Sequence, residues 1–203
     1  MSPSQAIVMV LIVALVVAAV IAFVLMQRRR ALREKFGEEY ERLVGEFQST
    51  SAADKELRER ERRHAELELR ELTPEARTRY IDEWQEVQAR FVDAPEESVV
   101  AADEFVTEVL EDIGYPTGEF DDQAAHVSVD HARTLSAYRR AHEITERSTR
   151  HEATEDELRQ AVLDYRELVT DLLGETPVPP VETSAGRGPQ TDQSPMPRDT
   201  TRH

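Results

Sequence analysis

Cysteine is absent from the 203-residue chain, which excludes disulfides, Cys-ligated zinc and thiol catalysis while leaving the redox compartment open. Cations are scarce: 25 Lys plus Arg stand against 41 Asp plus Glu, for a formal net charge of −16. A nucleic-acid partner is therefore not expected, because such affinity rests on clustered Lys and Arg neutralising phosphates. Lysine is nearly missing, 2 residues against 23 arginines, a bias that fits a high-GC genome since either cation would serve at solvated positions. Also lacking are a Gly-rich phosphate loop, a His-Glu-x-x-His pair, a nucleophile elbow and an EF-hand loop, so no enzyme, cofactor or metal is read from motifs. His126 and His131 lie five residues apart, not at the i, i+4 spacing that aims two imidazoles at one metal from a single helix.

What the chain does have is an apolar run without charge, Gly or Pro over residues 6–26. Twenty-one residues in a helix span about 31 Å, the thickness of a bilayer hydrocarbon core. No basic side chain precedes the run and no Ala-x-Ala pair occurs in it, so an uncleaved transmembrane helix is expected in preference to a signal peptide. The cations lie on one side of it: Arg28, Arg29, Arg30 and Arg33 follow, while residues 1–5 carry no charged side chain. The positive-inside rule then sets the N-terminus outside and the bulk of the chain in the cytoplasm. The same arginines are candidate contacts for anionic lipid headgroups. Ala14, Ala18 and Ala22 repeat at the small-xxx-small spacing of helix pairs, one ground for a homo-oligomer.

Beyond the anchor the periodicity is helical throughout. Phe36, Tyr40, Leu43 and Phe47 form a narrow apolar stripe, enough for a partner. Residues 54–71 read as a second helix laced by the i, i+4 pairs Glu56–Arg60, Glu59–Arg63 and Glu66–Arg70, a solvated spacer that needs no core. Thr73-Pro74-Glu75 starts the next helix, which buries Ala76, Tyr80, Trp84, Val87 and Phe91. A helix opening at Pro95 carries Val99, Ala102, Val106, Val109 and Ile113, with Phe105 beside them, and stops at Gly114-Tyr115-Pro116. Residues 117–129 show no clear period and read as a loop with a short helical turn. Helices over about 130–147, with Leu135, Tyr138, Ala141 and Ile144 inward, and from the Thr154–Glu157 capping box to Gly174 complete the pattern. The expectation is an all-α protein: tail 1–5, transmembrane helix 6–26, charged helical spacer 27–72, α-helical bundle 73–173, and a disordered Pro-rich tail 174–203, which holds six of the ten prolines.

Between Arg90 and Arg133 there is no Lys or Arg, yet the interval holds twelve carboxylates, from Asp93 to Asp130. They are expected to form an acidic surface that keeps the protein soluble, or that docks a basic protein partner or another copy's arginine-rich region; divalent cation binding is the least favoured reading, because the spacing lacks the Asp-x-Asp-x-Asp-Gly pattern. Residues 114–131 add Tyr115, Phe120, Asp121, Asp122, His126 and His131, the candidate partner-binding set, although aromatics placed like Tyr115 and Phe120 more often fold back as a core plug. The leading expectation is a membrane-tethered, cytosol-facing interaction or scaffold module. Its rivals are a structural homo-oligomer, drawing on the 36–47 stripe, and an enzyme using His126 or His131 as general base.

Several segments carry a resemblance: Leu57-Arg58-Glu59-Arg60-Glu61-Arg62-Arg63-His64, Leu72-Thr73-Pro74-Glu75-Ala76-Arg77, Gly114-Tyr115-Pro116, Ser128-Val129-Asp130-His131 and Glu157-Leu158-Arg159-Gln160-Ala161. With the anchor and Phe36-Gly37 they resemble a family of single-pass, membrane-anchored helical proteins of high-GC bacteria for which no activity is known. The resemblance covers most of residues 6–173 and leaves out the tail. It implies a recurrent anchored architecture in the bacterial inner membrane and assigns no role to any residue.

Overall fold

A computed structural model describes residues 3–174, all helical apart from turns and short connections: α1 (Pro3–Phe36), α2 (Glu38–Phe47), α3 (Thr50–His64), α4 (Pro74–Arg90), α5 (Pro95–Ile113), α6 (Phe120–Asp130), α7 (Ala132–Thr149) and α8 (Glu155–Leu173). The Pro-rich tail falls outside the described residues, apart from Gly174. Local chemistry accounts for the starts. Pro74 and Pro95 occupy first-turn positions, where the missing N–H costs no hydrogen bond. Thr73 Oγ1 accepts from the Ala76 N–H at 3.1 Å, and Thr154 and Glu157 cap each other reciprocally.

The main core lies among α4, α5, α7 and α8 and contains every inward residue expected of these helices, with Trp84, Tyr138 and Tyr165 fully buried and Ala76, Phe91 and Ile113 at its edge. The 65–73 connection crosses this core. Here the structure corrects the expected 54–71 helix, for α3 ends at His64 and the following chain tucks Leu67, Leu69 and Leu72 against the core. A continued helix would have turned Leu67 and Leu69 about 200° apart. Of the three expected pairs only Glu56–Arg60 forms, at 2.9 Å. Glu59 instead meets Arg62 and Arg63 reaches Glu56. Gly114 sits where this connection passes: its φ is +106°, and a Cβ there would lie 2.9 Å from the Glu68 carbonyl oxygen.

A second core overturns the solvated spacer. Leu32 and Phe36 of α1, Tyr40 and Leu43 of α2, and Ala53 and Leu57 of α3 are buried together with Val129 at the end of α6. The 36–47 stripe is thus covered by the chain itself, except Phe47, and offers little to an oligomer. Residues 117–129, expected as a loop, are mostly α6. Their periodicity is hidden because Gln123, Ala124, Ala125, Val127, Ser128 and Val129 are all buried; a helix packed on several sides shows no single apolar stripe.

Gln48 ends α2 in the left-handed region, at φ 52°. A non-glycine residue there costs about 1 kcal/mol or more. Gln48→Gly is expected to raise the melting temperature by about 2–4 °C, checked by circular dichroism of the full chain in detergent.

Candidate interaction site

The first turns after the apolar run are strapped to α2 and α3. Arg29 Nε donates to Asp54 Oδ2 at 3.0 Å, Arg33 Nε to Glu41 at 2.7 Å, and Lys35 to Glu61 at 2.9 Å. Two of the four candidate headgroup arginines are therefore committed within the chain. Arg28 and Arg30 are exposed and meet no carboxylate among the described residues.

The residues singled out between 114 and 131 do not converge. Tyr115 is a correction to the candidate set: it is 3% exposed, its hydroxyl donates to Asp130 at 3.5 Å, and burial followed by the Asp130 charge holds that hydroxyl far above its ordinary range. His131 is beside it, with Nδ1 2.6 Å from Asp171 Oδ2, and His64 Nε2 lies 3.1 Å from Asp130. Phe120 and Asp121 occupy the other end of α6, about 15 Å away along its axis. Phe120 stacks on the His142 ring at 3.7 Å and is half-buried, so it too is packing rather than a free anchor. Asp121 accepts from Arg139 at 3.1 Å with its side chain 91% exposed. Asp122 is exposed and meets no cation among the described residues.

His126 is half-buried and its Nδ1 has no hydrogen-bond partner among the described residues. Burial first, then the Arg63 and His64 charges, lower its pKa from the ordinary 6.5. The folded state therefore resists a proton that the unfolded state accepts, and stability falls as pH drops below about 6.5. His126→Gln is expected to flatten that fall between pH 7 and 5, checked by urea unfolding at each pH.

Two charged clusters escaped the sequence. Glu39, its side chain 3% exposed, accepts from Arg42 Nη2 at 2.8 Å, Arg60 Nη1 at 2.7 Å and Arg139 Nη2 at 3.4 Å, tying α2, α3 and α7. Asp103 accepts from Tyr165 Oη at 2.6 Å and lies 3.0 Å from His142 Nδ1. The only signal was an acid beside the apolar stripe of an amphipathic helix, which looks the same whether it faces water or a neighbour.

The acidic run is partly compensated, contrary to the linear reading. Asp103, Glu96, Asp121 and Asp130 meet His142, His151, Arg139 and His64. Of the eight that remain, four form an ordered row: Glu97, Glu104, Glu108 and Glu111 are exposed, pair with no cation within 4 Å among the described residues, and share one face of α5 by their spacings of 7, 4 and 3. No protein-family model, curated protein or solved structure matches the chain.

Proposed function

We propose that the chain is a single-pass protein of the bacterial inner membrane that holds a helical interaction module in the cytoplasm for a basic protein partner. The observation that carries this reading is the continuity of α1. Its large apolar side chains from Met9 to Met26 are 41–72% exposed where they are described, and the same helix ends with Leu32 and Phe36 seated in the second core. An apolar surface of that length is costly in water and matches a bilayer. With α1 unbroken and strapped by Arg29, Arg33 and Lys35, the folded part begins at Leu32, about 9 Å beyond the apolar run, rather than hanging on a slack tether. The arginines after the run favour the cytoplasmic side, and the acidic face of α5 repels anionic headgroups and attracts basic protein surfaces.

Topology tests it first. A reporter fused at His203 is expected in the cytoplasm, and Arg28, Arg29, Arg30 and Arg33 changed to Gln, with lysines added before residue 6, should invert it. A periplasmic reporter on the wild-type chain overturns the orientation. Proximity labelling from the same fusion should enrich basic proteins. With a partner so captured, Asp121→Asn with Asp122→Asn tests whether the α6 acids take part, a role that predicts slower association and a flatter salt dependence.

A further inference from the structure

A groove of about 340 Å³ runs between the first half of α5 and the last turn of α7, a volume within the range of pockets that take ligands or anchor side chains. Its α5 wall is the stripe Glu97, Val100, Ala101 and Glu104, spaced i, i+3, i+4, i+7, so an apolar floor lies between two carboxylates on one helix face. Neither carboxylate meets a cation within 4 Å among the described residues. Glu96, by contrast, is engaged by His151 Nδ1 at 2.9 Å, and His151 holds a left-handed backbone, φ 56°. Of the cations lining the groove, Arg90 alone is an arginine or lysine.

The α7 wall supplies an independent sign of a missing occupant. Ser148 lines the groove, is 2% exposed, and its Oγ has no hydrogen-bond partner among the described residues. The hydroxyls on either side of it are satisfied within α7: Thr145 Oγ1 donates to the Ala141 carbonyl at 3.0 Å and Thr149 Oγ1 to the Glu146 carbonyl at 2.7 Å. An orphaned buried hydroxyl costs free energy unless something meets it.

Resting on the interaction-module reading, we propose that this groove is the anchor site for a lysine or arginine side chain of a basic partner segment. The aliphatic stem packs over Val100 and Ala101, the cationic head sits between Glu97 and Glu104, and the Ser148 hydroxyl, turning about χ1 toward the groove, accepts one of its N–H groups. The occupant is a segment rather than a compact diamine because the uncompensated acidic face continues past the groove to Glu108 and Glu111, so that the carboxylates from Glu97 onward extend about 21 Å along α5.

The test uses the full chain in phosphatidylcholine nanodiscs, which do not themselves attract cations. The probe is a short fluorescent peptide in which lysines alternate with pairs of alanines; the same peptide with glutamine for lysine is the control. Fluorescence anisotropy is expected to show binding of the lysine peptide only. Glu97→Gln with Glu104→Gln should weaken it about tenfold or more, the equivalent of about 1.4 kcal/mol. Ser148→Ala should weaken it about threefold with an unchanged melting curve, a result that a diffuse charge effect would not give. Asp121→Asn with Asp122→Asn should leave it unaltered. Loss of binding in that α6 variant alone overturns the groove while sparing the interaction-module reading. Full-strength binding by the Glu97/Glu104 variant or by Ser148→Ala overturns it equally, as does spermidine binding the wild type more tightly than the peptide. Absence of any peptide binding overturns the groove, whereas the interaction-module reading stands or falls with the labelled partner.

Discussion

Trp84→Ala is expected to leave the bundle unfolded or barely folded. The ring is fully buried, 5.5 Å from Phe105, which in turn meets Tyr80 edge-on at 5.7 Å, so truncation opens a cavity where α4 leans on α5. Such truncations cost about 3–5 kcal/mol, set against total stabilities of about 5–15 kcal/mol. Trp84→Phe is expected to be milder, because it keeps most of the volume and removes an indole N–H that has no partner. Circular dichroism of the full chain in detergent checks both, since Trp84 is the single tryptophan and its own fluorescence disappears. A Trp84→Ala variant melting within a few degrees of wild type would contradict its burial.

Glu39→Gln has the second largest expected effect. It leaves Arg42, Arg60 and Arg139 converging on a neutral amide, and Arg60 is itself only 7% exposed. Breaking a buried pair from one side costs about 3–5 kcal/mol when the remaining charge is left unpaired, and the low end is expected here because Arg60 keeps Glu56 at 2.9 Å, Arg42 keeps Glu46 at 2.7 Å and Arg139 keeps Asp121 at 3.1 Å. The loss should be local: hydrogen exchange is expected to rise in α2 and α3 while the Trp84 core stays protected. Adding Arg60→Met should recover part of it, which a double-mutant cycle measures. Acid behaviour gives an independent reading. Burial, the largest single influence, pushes the Glu39 carboxyl up, but the combined pull of Arg42, Arg139 and Arg60 leaves it below its ordinary 4.5. The folded state therefore holds the carboxylate, its contribution is complete above about pH 4.5, and it is lost as pH falls further. Glu39→Gln should shrink that acid-side loss.

The main core was legible because α4, α5, α7 and α8 each bury one face and expose the other, so period 3.6 appears directly in Tyr80, Trp84, Val87 or Leu158, Val162, Tyr165. Caps and stops were equally local: Pro74, Pro95, Gly114 and the Thr154–Glu157 box act on neighbours within a turn. The second core was half visible, since the 36–47 stripe announced a partner without saying that the partner was α3 and the end of α6. Of the candidate residues, Asp121 and Asp122 are exposed as a docking role requires, whereas Tyr115 went to the core and His131 to Asp171 because both sit where α6 meets α7, a junction invisible in a stretch read as a loop.

Local sequence dictates what depends on residues within a turn or two of each other: an apolar run long enough for a bilayer, cations on one side of it, helix starts and stops, and amphipathic stripes. Tertiary structure alone decided which charges are spent. Glu39 and Arg60 are 21 residues apart, and Glu39 and Arg139 are 100 apart, distances over which no local pattern constrains a partner. The same holds for the acidic interval: twelve carboxylates between Arg90 and Arg133 looked uniform until folding assigned four of them to three histidines and an arginine and left Glu97 and Glu104 of α5 flanking a groove with a hydroxyl unmet among the described residues. Coulomb and hydrogen-bond energies act over a few ångströms through space, so whether an acid is a strut or a docking point is set by which helix packs beside it.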